Sequence, residues 1–199
     1  MAPERGNAPA APTGDVTWLT GHLLIAMPNM ADPNFVRSVT YICEHTDQGA
    51  LGIVINRPLQ MDLGEVFQQL SLQESDPQRA RQPVLRGGPV QTERGFVLHE
   101  PFGKWDATVE VTDAVHLTTS QDILAALAEG TGPQRVLMAL GYAGWGAGQL
   151  ELEMAANAWL SVPATSAILF DTPFGARWAQ AAGLLGINVA TISPEAGHA

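Results

Sequence analysis

The stretch that most constrains this chain begins as an apolar segment, Val136 to Leu140, and passes straight into Gly141, Gly144, Gly146 and Gly148, with Trp145 among them. Glycine is needed where φ must be positive or where another group comes close to the backbone. From Gln149 onward the composition turns to helix formers: Leu150, Glu151, Leu152, Glu153 and Met154. The segment therefore reads as a strand over 136–140, a glycine-rich loop, and a helix over 149–160. That order leaves the N–H groups of the helix start facing whatever lies over the loop. The same pattern also fits a tight structural corner.

The rest of the chain supplies a domain for this corner to sit in. Residues 1–16 carry Pro3, Pro9 and Pro12 without hydrophobic periodicity, and read as a flexible extension ahead of a domain over 17–199. A short apolar strand ends at Pro28. A second strand over 36–43 and a third over 51–55 flank a turn-rich loop and form an antiparallel hairpin, which Asn56-Arg57-Pro58 ends. Asp62 caps a helix with Leu63, Val66, Phe67 and Leu70 as its buried stripe, and 71–82 reads as an exposed connection. Further strands are predicted over 84–85, 95–99, 107–111, 115–118 and 167–170. A helix from Ser120 ends at Gly130, and another opens at Pro173 and stops before Gly186. Strands in runs early and alternating with helices later point to an α+β domain with a mixed sheet.

Composition narrows the function classes. A formal charge of −10 repels phosphate backbones and disfavours direct nucleic-acid binding. No apolar run approaches the ~20 residues of a membrane-spanning helix, so no membrane association is expected. Lys104 is the only lysine, which leaves few amines for Schiff-base or phosphate chemistry. One cysteine permits no disulfide within the chain and suits a reducing compartment, and the N-terminus shows no signal peptide. The cytoplasm is the expected location.

Candidate chemistry gathers at strand ends. Glu151 and Glu153 differ by ~200° around a helix and cannot act as one acid/base pair. Glu153 and Asn157, four apart, share a face with Gln149 and would point into a pocket roofed by Trp145. Arg86 before Gly87-Gly88-Pro89, and Asn56-Arg57 at the end of the hairpin, are the other groups suited to holding an anion. Strict alternation puts Cys43 and His45 on one strand face, the arrangement of a nucleophilic pair, although a buried cysteine is more often inert. His22, His99, His116 and His198 are scattered without metal-ligand spacing, and no nucleotide-binding or hydrolase motif occurs. No metal and no cofactor are expected.

The motifs together resemble the AlgH/YqgE family of bacterial proteins. The residues that carry the resemblance are Leu23 to Pro28, Phe35 to Val39, Glu44-His45, Gly49 to Pro58, Gly87 to Val90, Leu98-His99, Gly141 to Trp145, Gly148 to Leu150, Glu153, Asn157 and Trp159-Leu160, in order from about Thr17 to Gly197. The resemblance implies a single α+β domain whose bifurcated mixed sheet folds toward a pseudo-barrel flanked by helices, in a cytoplasmic bacterial protein with a proposed role in transcriptional regulation. It supplies no catalytic residue. The expectation is a non-catalytic regulatory module that binds a small-molecule or anionic ligand in a cleft formed by Asn56, Arg57, Arg86, Gly87, Gly88, Gly144, Trp145, Gln149, Glu153 and Asn157. The alternatives are an enzyme using Glu153 or the Cys43–His45 pair, and an interaction protein that acts on transcription through a protein partner.

Overall fold

The computed structural model describes residues 18–188, so the 1–16 extension lies outside the described residues. Ten strands are built in the order β1 (His22–Ala26), β2 (Val39–Thr46), β3 (Gly49–Val54), β4 (Pro58–Asp62), β5 (Pro83–Arg86), β6 (Val90–His99), β7 (Thr108–Thr112), β8 (Val115–Thr118), β9 (Val136–Gly146) and β10 (Trp159–Pro163). The helices are α1 (Leu63–Gln69), α2 (Pro77–Ala80), α3 (Asp122–Glu129), α4 (Gln149–Ala155) and α5 (Arg177–Gly183). The order across the sheet is β10-β1-β2-β3-β9-β6-β8-β7, with β5 parallel to β9 and β4 antiparallel to β5. The other pairs are antiparallel, so the α+β class with a mixed sheet stands.

The sheet forks along β9. One edge of β9 pairs with β6, from Val136 through Leu140 and again at Tyr142. The opposite edge is divided: β5 takes Ala139 and Leu140, and β3 takes Ala143 through Gly146. Gly87 bridges the division, donating to the Leu140 carbonyl at 2.8 Å and accepting from Val54 N–H at 2.8 Å. A Cβ on Gly87 would stand 2.2 Å from the Gly141 oxygen, and one on Gly88 would stand 2.0 Å from the Tyr142 carbonyl carbon. Side chains cannot occupy either place, so the Gly-Gly turn is what lets three backbones meet at the fork.

Gly141, Gly144 and Gly146 are therefore strand residues, where the sequence predicts a loop; the turn is confined to Ala147 and Gly148. The following helix is also shorter than predicted. It ends at Ala155, where Ala158 N–H bonds the Glu153 carbonyl and Asn157 N–H bonds the Met154 carbonyl, with Asn157 at φ +55°. This is a Schellman stop with asparagine in the left-handed position. Trp159–Pro163 then pairs with β1 rather than continuing the helix. The predicted strand over 167–170 is instead a π-helical turn, Ala167–Asp171. A continuous apolar run of four cannot be assigned by periodicity. The chain over 58–62, expected to leave the sheet at Pro58, re-enters it as β4. The supposedly exposed connection 71–82 contains α2 with Arg79 and Ala80 buried.

Three buried clusters follow from the strand alternation. Leu23, Ile25, Val39, Tyr41 and Ile53 face one side with Phe96, Leu137 and the helix α5. Leu24, Ile42, Ala143 and Trp145 face the other with Leu150 and Trp159. Helices α1 and α3 cover the β5–β9–β6 region through Leu63, Phe67, Ile123 and Leu127, each contributing about 1.5–3 kcal/mol of burial. Asp62 caps α1 and Gly130 ends α3 at φ +73°, both as predicted, and the Glu65 side chain returns a bond to the Asp62 N–H to complete a capping box. Among the described residues no helix is long and apolar enough to cross a membrane.

Candidate functional site

The glycine-strand and its helix close on each other through one carboxylate. Glu153 Oε2 accepts from the indole N–H of Trp145 at 2.9 Å and of Trp159 at 2.8 Å, and Oε1 accepts from Gln149 Nε2 at 2.9 Å. Gln149 Oε1 in turn accepts from Gly146 N–H at 3.0 Å. Phe35 fills the space beneath, stacked 6.2 Å from Trp145 and edge-on 5.4 Å from Trp159. The volume expected for a ligand under Trp145 is thus occupied by the chain's own loop, 27–38.

The second group of candidates holds the same loop from the other side. Asn56 Oδ1 accepts from Val39 N–H at 2.9 Å and its amide donates to the Arg37 carbonyl at 2.9 Å. Arg57 donates to the Pro33 carbonyl at 3.1 Å and the Val36 carbonyl at 2.7 Å. Burial, and then the charge of nearby Arg86, push the Arg57 guanidinium below its ordinary pKa, with Asp32 opposing. Trp145, Gln149 and Glu153 therefore form one network and Asn56 and Arg57 a second, joined through loop 27–38, while Gly87 and Gly88 fill the fork. Asn157 does not share a face with Glu153, because the helix has already ended. A shallow depression of about 380 Å³ lies over Gly144 and Trp145, bordered by Glu44 and Gln48.

The Cys43–His45 pair does not form. The β2–β3 register jumps between Ile42 and Glu44, leaving Cys43 as the extra residue of a bulge. The bulge inverts the alternation, so Cys43 packs with Tyr41 while His45 turns to the opposite face. Burial first, then the neighbouring Glu44 charge, drive the Cys43 thiol far above its ordinary pKa, which removes the thiolate a nucleophile needs. His45 Nδ1 accepts from Leu19 N–H at 3.1 Å, so its proton sits on Nε2 and is donated to Glu151 Oε1 at 3.0 Å. Both ring nitrogens are committed. The His45–Glu151 contact is legible only once the bulge is known.

An open space lies elsewhere, a groove of about 430 Å³ between α1, α3 and the β6–β9 face. Met61, Val97, Leu124 and Met138 make its floor, and Arg94, Thr119, Ser120 and Gln121 stand among its polar lining. The segment leading into α3 is held rigid. Ser120 Oγ donates to Asp122 Oδ1 at 2.5 Å and accepts from Ala107 N–H at 3.0 Å, and Asp122 Oδ2 accepts from Asp106 N–H at 2.8 Å. Burial alone would raise the Asp122 carboxyl, but the bonds from Ser120, Asp106 and Ile123 outweigh it and hold the group below its usual value.

Behind the wall, His99 is fully buried. Its Nδ1 donates to the Glu100 carbonyl at 2.7 Å, and its Nε2 accepts from Thr118 Oγ1 at 2.8 Å, which also bonds Thr108 Oγ1 at 2.7 Å. Burial chiefly, with help from His116 and against the Glu100 contacts, lowers the His99 pKa and keeps it neutral. The groove takes residues from six separate elements and carries no local motif, so sequence spacing gives no sign of it. Among the described residues no group of three His, Cys, Asp or Glu is placed to hold a metal ion.

The sequence model of a family described as AlgH-like matches residues 23–190. A UPF0301 protein of Saccharophagus degradans is 54% identical over 193 residues, covering 97% of this chain and 94% of the relative. One from Azoarcus is 56% identical over 181 residues, covering 91% and 96%. The solution structure of the AlgH protein from Pseudomonas aeruginosa is similar at 48% identity and TM-score 0.75, covering 97% of this chain and all of that one. A crystal structure of a Corynebacterium diphtheriae protein, 20% identical with TM-score 0.65 over 84% of this chain and 87% of that one, shares the fold.

Proposed function

The chain belongs to the AlgH-like family, and from that premise we propose that it is a non-catalytic, ligand-binding regulatory module that takes an amphipathic small molecule in the α1–α3 groove. The observation that carries this reading is the groove's division into an apolar floor and a polar lining, the usual build of a small-molecule site. The floor contains Met61 and Met138, whose unbranched side chains adapt to a ligand's shape. The lining offers the Thr119 hydroxyl and the Gln121 amide to a polar head, and Glu93 and Arg94 border it with opposite charges.

Native mass spectrometry of the protein from its own host tests the proposal. Wild type is expected to carry a retained small molecule, and Gln121→Trp, which crowds the groove at an exposed position, is expected to lose it. Retention of the same molecule by the Trp variant removes the groove as the site. The proposed regulatory action runs through a protein partner in the cytoplasm rather than through duplex DNA, a reading supported by the charge of −10. Sequence-dependent gel-shift binding at physiological salt would overturn that part.

A further inference from the structure

Arg177, at the start of α5, is 1% exposed. Its Nε donates to the Thr172 carbonyl at 3.0 Å and its Nη1 donates to the Ile55 carbonyl, just past β3 where the sheet forks. These bonds explain why a long polar side chain reaches this place. They do not account for its charge. A buried cation is costly unless an opposite charge accompanies it, and among the described residues the arginine–carboxylate ion pair is Arg135–Asp171, which does not include Arg177. The Phe174 ring, 4.5 Å from the guanidinium, offers only partial compensation. Burial accordingly pulls the Arg177 pKa down to about 10.

Arg177 is one of the residues that line a cavity of about 240 Å³. Its walls are apolar, with Leu63, Val136, Phe170 and Phe174 prominent, and the Gln82 side chain and Thr172 add polar groups. Asp171 stands at the mouth, with its carboxylate held by Arg135 at 2.9 Å and both side chains about half exposed. Arg135 offsets the Asp171 charge from outside the lining, so the cation left among the lining residues is Arg177. A guanidinium uses paired N–H groups to hold a carboxylate. A phosphate dianion calls for more donors than these walls provide, and an apolar wall favours an attached hydrocarbon.

We propose that this cavity is a second binding site, separate from the groove, which takes a small monocarboxylate with a short apolar body and seats the carboxylate on Arg177. The test uses the whole chain at low salt, titrated calorimetrically with hexanoate and with its neutral counterpart hexanamide. Hexanoate is expected to bind at least about tenfold more tightly than the amide, and Arg177→Gln to lose that preference. Asp171→Asn removes a repelling charge at the mouth and is expected to tighten hexanoate binding about three- to fivefold. A guanidinium that merely pins two carbonyls predicts no such gain. Equal affinity for acid and amide overturns the proposal, and so does an Asp171→Asn variant that binds no better than wild type. Both measurements are decisive even where Arg177→Gln fails to fold. Gln121→Trp is expected to leave hexanoate affinity unchanged, and its loss there would assign the carboxylate to the groove and remove the second site. An empty groove with intact hexanoate binding would reject the groove reading alone.

Discussion

The corner around Glu153 and the groove between α1 and α3 make opposite use of their residues. The corner concentrates the side chains that chemistry usually recruits, and it spends each of them inward: two indoles and an amide on one carboxylate, an asparagine and an arginine on three carbonyls of loop 27–38 and the Val39 N–H that follows it. The groove is built mainly from leucine, valine, methionine, hydroxyls and amides, with Glu93 and Arg94 at its border, and it stays open. Polar groups that satisfy one another define a fold, while polar groups beside an unfilled apolar floor have capacity to spare. Chemical interest in a sequence and availability in the fold are separate properties here.

That contrast breaks first at the fork. Gly88→Ala is expected to cost more than about 4 kcal/mol, or to prevent folding, because its Cβ falls inside the Tyr142 backbone at φ +157°. A urea midpoint within error of wild type would mean that the three backbones can separate. Next in size is Glu153→Ala. It leaves the Trp145 and Trp159 indole N–H groups without their acceptor, and hydrogen bonds to a charged group contribute about 1.5–3 kcal/mol each. A loss of about 3 kcal/mol is expected in chemical denaturation, together with a shift in tryptophan fluorescence. A loss below about 0.5 kcal/mol would return Glu153 to the pool of groups available to a ligand.

What can be read from the sequence follows the reach of each signal. The Asp62 cap, the Gly130 stop and the antiparallel hairpin depend on neighbours a few residues apart, and all are present. The role of Gly87, Gly88 and Gly141 depends on where a third strand crosses, which local spacing does not encode. Their glycine identity announces a close approach, but the approaching group is backbone rather than ligand. The bulge at Cys43 erases the predicted Cys43–His45 pair by shifting a single residue, because strand faces alternate with a period of two. Asn157 leaves the Glu153 face because the helix stops one turn early. The groove gives no local signal, because its floor residues carry the same apolar pattern as core.

A smaller effect sharpens the contrast from the groove side. His99 is held neutral, below its unfolded pKa of about 6.5. Its contribution is therefore fully present above that pH and is lost as pH falls through the lower folded value, since the unfolded chain takes up the proton first. Protonation would also take Nε2 away as acceptor for Thr118, which lines the groove. Denaturation between pH 7 and pH 5 should show wild type losing more stability than His99→Gln, and parallel curves would remove His99 from this role.

The smallest expected change is the most pointed. Gln121 is exposed, leads into α3 and makes no side-chain cap to that helix, so Gln121→Ala should alter stability by no more than about 0.5 kcal/mol. Glu153→Ala is its counterpart at the corner, with a large stability cost and no direct effect on a ligand in the groove. If Gln121→Ala weakens retention of the host-derived molecule severalfold while the denaturation midpoint stays put, binding and stability have been assigned to different residues on different faces. If instead Glu153→Ala weakens retention at temperatures where the variant remains folded, the corner takes part in binding, and the division between a filled corner and an open groove fails.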